Sequence, residues 1–154
     1  MKKVLLIVLG IFIIFTGEAL AFDDLDISIS TSLYTKHFTE KEEGHYNETN
    51  ELIGIDVNGW FGSTFVNSDY NRSWFVGKRF STKKYDIIDD FMFARLNLYL
   101  GPLYGYGDKH VPTIEGWTLG ILPSAEIGID HFGMELVGIP TDTGVICVLG
   151  KIYF

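Results

Sequence analysis

One histidine and one serine fall at the same end of a run of alternating segments. His37 closes the first such segment, within Tyr34–Phe38 (YTKHF), and Asn67-Ser68 opens a later connection with Asp69 beside it. A neutral imidazole can take a proton from a serine or from a substrate hydroxyl, because an ordinary pKa of about 6.5 leaves its base form available near neutrality. Asn, Ser and His are also common in turns for their own backbone hydrogen bonding. By residue type alone, then, the pair is either a site or ordinary loop chemistry. No Cys/His group has metal-ligand spacing, and no metal or other cofactor is expected. The single cysteine, Cys147, excludes an internal disulfide framework.

The segments that must position these residues repeat with period two. Leu25 to Phe38 sets Leu25, Ile27, Ile29 and Leu33 against Asp26, Ser28, Ser30 and Ser32. Glu51 to Val57 alternates likewise and runs into Asn58-Gly59, the preferred two-residue hairpin turn. Trp60–Val66, Ser73–Phe80, Phe91–Gly101, Glu115–Ile129, Phe132–Ile139 and Gly144–Phe154 complete eight expected strands. Charged residues Arg95, Glu126, Glu135 and Lys151 stand singly among small residues on the polar faces, as a polar lumen requires; pairing inside a filled barrel accounts for them better than a second site does. Apolar-out alternation in segments long enough to span is the pattern of an all-β, eight-stranded antiparallel transmembrane β-barrel, closed because lipid offers no partner to a free sheet edge. A soluble barrel or sandwich with its apolar face inward shares the period, so alternation alone leaves it open. With both termini at the periplasmic end, connections 38–50, 67–72, 102–114 and 140–143 face outward, and His37 and Ser68 sit on the first two.

Lys2-Lys3, the apolar run Val4 to Phe15 and Ala19-Leu20-Ala21 read as a secretory signal peptide over residues 1–21, with the barrel at 22–154. The apolar run is short for a spanning helix. Phe154 ends its segment on an aromatic, as is usual for outer-membrane barrels, so the expected location is the outer membrane of a Gram-negative bacterium. A net charge of −8 argues against nucleic acid, whose affinity rests on neutralising phosphates.

From about Ser32 to Phe154 the order and spacing of several segments resemble the lipid A palmitoyltransferases of the PagP type. YTKHF at Tyr34–Phe38 is similar to the strand carrying that family's loop-one histidine, and His45-Tyr46-Asn47-Glu48 to its Tyr-Asn-Glu segment. Phe65-Val66-Asn67-Ser68 is similar to its Asp-Ser segment, and Ile121-Leu122-Pro123-Ser124-Ala125 and Ile139-Pro140 to its later prolines. The resemblance implies an acyltransferase that moves a fatty acyl chain from a phospholipid to a lipid A hydroxyl. His37, Asn67 and Ser68 stand at the family's catalytic positions, Pro123 and Pro140 form a lateral lipid gate, and Arg79 stands at the acyl-pocket floor. Asn67 replaces the family's aspartate and cannot take a proton; Asp69 and Glu48 are the nearby carboxylates that could substitute. The family's helix before the first strand is absent, since alternation begins at Leu25. The partners implied are membrane lipids and the barrel-assembly machinery, with the protein a monomer. An acyl hydrolase, with water as acceptor, and a non-catalytic surface barrel are the alternatives.

Overall fold

Alternating apolar and polar side chains pay off only if a strand has a neighbour on each side and a different medium on each face. In the computed structural model, which describes residues 25–39, 45–88, 91–107, 111–141 and 144–154, all the regular elements are strands. They are β1 (Ile27–His37), β2 (Ile53–Val57), β3 (Trp60–Val66), β4 (Arg72–Ser81), β5 (Tyr85–Ile88), β6 (Met92–Tyr104), β7 (Trp117–Ile129), β8 (Phe132–Ile139) and β9 (Val145–Tyr153). The expected signal peptide lies outside the described residues.

Eight of these strands close an antiparallel barrel. Neighbours follow chain order, β1 lies between β2 and β9, and pairing of β4 with β6, from Trp74↔Tyr104 to Ser81↔Asn97, shuts the ring. Each expected strand is present, with ends that move by a few residues. β5 is additional: within the expected connection after Phe80, Tyr85–Ile88 continues along the start of β6 beyond the end of β4. At four residues it is too short for period two to reveal. Asn58 and Gly59 both have positive φ, 51° and 77°, as the tight Asn-Gly hairpin between β2 and β3 requires. The Asp56 carboxylate accepts the Gly59 N–H at 2.9 Å and so ties the turn to the lumen.

The barrel is apolar outside, and its interior carries buried polar and charged side chains below an apolar upper part. Leu33, Ile53, Leu96, Leu119, Phe132 and Met134 are exposed on the outer wall, while Ser28, Ser30, Asp56, Ser73, Glu126, Glu135 and Lys151 are buried. That is the reverse of a soluble barrel. One break in the alternation matters for the site. Strict period two from Ile29 and Leu33 carries His37 to the outer wall. A bulge between Ser32 and Tyr34 leaves both Leu33 and Tyr34 pointing outward, and beyond it Thr35 and His37 turn inward.

The lower lumen, toward the Asn58-Gly59 end, is filled by a connected charge layer. Arg95 grips Glu126 with Nε and Nη2 at 2.9 and 2.8 Å. Lys151 Nζ lies 3.0 Å from Glu135 and 3.5 Å from Glu126. Asn97 Nδ2 donates to both carboxylates, at 2.7 and 2.9 Å. The hydroxyls of Ser124 and Tyr99 donate to Glu135 and that of Tyr153 to Glu126. Arg79 extends the layer to Asp56 (3.3 Å) and Asp26 (3.2 Å). The four lumen charges read from the sequence are therefore paired with one another rather than offered to a ligand.

Removing one member strands a buried charge, which typically costs about 3–5 kcal/mol. Lys151→Met is therefore expected to lower the unfolding free energy of the micelle-embedded barrel by that much, read as a lower urea midpoint, and Lys151→Met with Glu135→Gln by clearly less. An unchanged midpoint in the single variant would contradict the assignment of Lys151 as the shared counter-ion.

Candidate functional site

The bulge in β1 and the chain between β3 and β4 bring the two chemistry-bearing residues together. His37 Nε2 and Ser68 Oγ are 2.7 Å apart at the rim opposite the charge layer, 31 positions apart in sequence. His37 is 6 % exposed, and its ring stacks on Tyr46 at 4.3 Å between centroids and 15° between planes. The imidazole is thus clamped on its face by Tyr46 and aimed along its edge at the serine hydroxyl. With Nε2 unprotonated, Ser68 donates to it, which is the arrangement a general base needs.

Residues 45–50 form a strap that holds this geometry, and every residue of its Tyr46-Asn47-Glu48 core has a task. Tyr46 stacks on His37. The Asn47 N–H donates to the Ser68 carbonyl at 3.0 Å, and its Nδ2 to the carbonyls of Val66 and Asn67 at 3.2 and 3.3 Å. Glu48 pairs with Lys36 at 2.9 Å, and the hydrogen bond from that ammonium holds the Glu48 pKa below the ordinary glutamate value. Reading residue types had not singled out Tyr46 and Asn47 as site residues. The signal lay in the four-residue segment His45–Glu48 itself, whose polar side chains only find partners once the barrel closes.

Asn67 is built into the loop that carries Ser68. It is 1 % exposed, and its side chain is saturated. Nδ2 donates to Ser73 Oγ at 3.0 Å and to the Gly105 carbonyl at 2.8 Å, while Oδ1 accepts the N–H groups of Asp69 and Asn71 at 2.9 and 3.0 Å. Asn67 therefore folds the loop that presents Ser68 and ties it to the chain leaving β6. The two donor bonds are open to an amide and closed to a carboxylate. Glu48 is committed to Lys36.

Below the rim lies an apolar cavity of about 50 Å³, several times the roughly 10–15 Å³ that one water occupies. Asn50 and Cys147 line its upper part, Leu122, Val137 and Leu149 one wall, and Phe61, Phe75 and Tyr99 its base. Cys147 pairs with Thr35 across β1–β9, one inward step below the His37↔Val145 pair, so the cavity begins directly under the histidine. Arg79 is inward and buried but does not line the cavity. It belongs to the charge layer beneath, and the Phe61 and Tyr99 rings, 5.1 Å apart, close the base above it.

The prolines mark a break in the wall. Pairing of β7 with β8 stops at Ser124↔Val137, immediately below Pro123, whereas β7 stays paired with β6 up to Tyr104↔Trp117. Pro140 follows the last residue of β8. Proline has no N–H to donate to the ladder. Among the described residues, Thr118 to Pro123 thus have a partner strand on one side only. A cleft of about 220 Å³ fills this gap and shares Leu103, Tyr106, Leu122 and Ile139 with the inner cavity, so the outer wall and the lumen adjoin there.

Asn67→Asp sets a carboxylate oxygen against the Gly105 carbonyl. It is expected to destabilise the 67–71 loop by about 1–3 kcal/mol, the range for a lost buried hydrogen-bond partner. Faster hydrogen exchange at the Asp69 and Asn71 amides measures this, and exchange as slow as in the parent would show that the loop does not depend on the amide. A scan against protein-family models finds no match for this chain, and a comparison with curated proteins finds none either.

Proposed function

We propose that the protein is an outer-membrane acyltransferase that moves a fatty acyl chain from a phospholipid to a hydroxyl of lipid A, in the manner of the PagP-type enzymes it resembles. The observation that carries this reading is the hydrogen-bonded His37–Ser68 pair placed over an apolar cavity that adjoins a gap in the outer wall. The exposed apolar wall supports insertion in a bilayer, with the histidine rim outward. The stretch of β7 without a β8 partner supports lateral entry at Pro123 and Pro140, because a wall held by one ladder there opens more easily than one held by two, and neither proline has an N–H to close it. A donor chain enters there with its ester carbonyl at the rim and the methylenes nearest the ester in the cavity, which widens to take the rest. The lipid A hydroxyl passes its proton to Ser68 Oγ, which passes its own to His37 Nε2, as the sugar oxygen attacks that carbonyl. The tetrahedral centre then expels the lysophospholipid alkoxide, which takes the proton back from His37. No cofactor is needed for this exchange of one ester for another. With water in place of the sugar hydroxyl, the same pair performs acyl hydrolysis.

General-base assistance is typically worth about 10²–10⁴ in rate. In cells expressing the variants, mass spectrometry of lipid A is therefore expected to show one added acyl chain with the parent protein and at most about 1 % of that product with His37→Ala or Ser68→Ala, each still migrating as a folded, heat-modifiable band. Equal modification by His37→Ala would overturn the assignment. The cavity base is Phe61 and Tyr99, so Phe61→Ala is expected to shift the transferred chain toward greater length. Arg79→Gly, acting through the layer below, is expected to lower stability more than it alters chain length; the reverse pattern would make Arg79 the floor.

A further inference from the structure

The outer wall of β1 to β4 carries a feature that acyl transfer does not use. Gly62 faces outward where a Cβ would meet nothing within 4 Å. Ile53, Ile55, Trp74 and Val76 rise around it and leave a groove of about 430 Å³. Its lining includes the pairs Thr64↔Trp74 and Gly62↔Val76, and the next outward pair toward the end of the barrel opposite His37 is Trp60↔Lys78. From Thr64 to Trp60 this outward row runs roughly 13 Å at about 3.3 Å per residue, close to the ~15 Å share that one leaflet has of a 30 Å hydrocarbon core.

A cation stands at its lower mouth. Lys78 is on the same outward face as Trp74 and Val76, whereas its neighbour Arg79 turns into the lumen. Its Nζ donates to the Asn58 carbonyl at 2.8 Å and lies 5.1 Å from the Trp60 ring centre. No described carboxylate lies within ion-pair distance of it, although the chain's net charge is −8. An ammonium has three donors, so further N–H groups are available to an anion. An ammonium beside a tryptophan, one outward step beyond an apolar groove, is the complement of a lipid with a net negative headgroup.

We propose that Gly62 and Lys78 define a binding site for one anionic phospholipid of the leaflet at the Asn58-Gly59 end of the barrel. One acyl chain lies along Gly62 and the phosphate sits on Lys78. A zwitterionic headgroup carries its own cation and gains less from Lys78. The site needs the barrel to span a bilayer but is independent of acyl transfer, and β1–β4 do not include the β7–β8 gap.

The test uses tryptophan fluorescence. The chain has three tryptophans. Trp117→Phe leaves Trp60 and Trp74, one at the mouth of the groove and one along it. The full barrel is reconstituted in phosphatidylcholine vesicles containing increasing fractions of phosphatidylglycerol or phosphatidylcholine with brominated chains. Brominated phosphatidylglycerol is expected to quench at about fivefold lower mole fraction, the effect of one lysine at a membrane surface. Lys78→Gln abolishes that preference. Gly62→Leu fills the groove and abolishes it too, its side chain entering open space so that the folded, heat-resistant gel band is retained; if that variant does not fold, Lys78→Gln decides. Equal quenching by the two lipids, or a preference that survives Lys78→Gln, overturns the site while leaving the membrane reading intact. Quenching by neither lipid overturns both.

Discussion

Glu126 and Glu135 are direct cross-strand partners on β7 and β8, both inward and both fully buried. Two carboxylates set opposite each other in a low-dielectric lumen repel and lose their water, so the pair is tolerable only with dedicated counter-ions. Those come from around the barrel: Arg95 from β6, Lys151 from β9 and, more distantly at 4.0 Å, Arg79 from β4. Neutral donors Asn97, Tyr99, Ser124 and Tyr153 take up remaining lone pairs. None of these groups is adjacent in sequence. The network assembles only when the ring is closed in this register, and it ties the β4–β6 seam to the strands on either side of it.

That seal divides the lumen into two chemically different halves. Below Phe61 and Tyr99 the interior is ionic and full. Above them it is apolar, ends at the histidine rim, and adjoins the wall where β7 loses its β8 partner. A chamber closed by charge at one end and adjoining a lateral gap near the other suits a chain that enters from the side and presents its polar end at the top. The same plug explains why Arg79 sits at the base of the barrel without touching the cavity. It satisfies Asp56, which in turn secures the Asn58-Gly59 turn.

Much of this was legible in the sequence because period two is a strong signal when a strand spans a whole wall. The eight barrel strands and the Asn-Gly hairpin follow from alternation and turn chemistry, whereas Pro140, expected on a strand next to that of Pro123, lies directly after the last residue of β8. What escaped depends on contacts made at a distance. The bulge after Ser32 decides whether His37 faces the outer wall or the lumen, and nothing local in Ser32-Leu33-Tyr34 announces it; it appears only in the pairing of β1 with β9. The role of Asn67 depends on the Gly105 carbonyl, 38 residues away. Tyr46 becomes a clamp on His37 only because residues 45–50 fold back over the mouth. β5 is too short to carry a period. In each case the deciding partner comes from another strand or loop, so a single segment read alone could not supply it.

The central claim is that the histidine rim and the chamber beneath it carry one acyl chain from one ester to another. The most direct measurement is a reaction of the purified barrel in detergent with lipid A and a phospholipid labelled in one acyl chain, following every labelled species and the lysophospholipid with time. The account predicts that labelled lipid A and lysophospholipid rise together in equal amounts, with no free labelled fatty acid and no reaction in Ser68→Ala. Lysophospholipid accompanied by free labelled fatty acid, or no lysophospholipid at all from a correctly folded barrel, would contradict it.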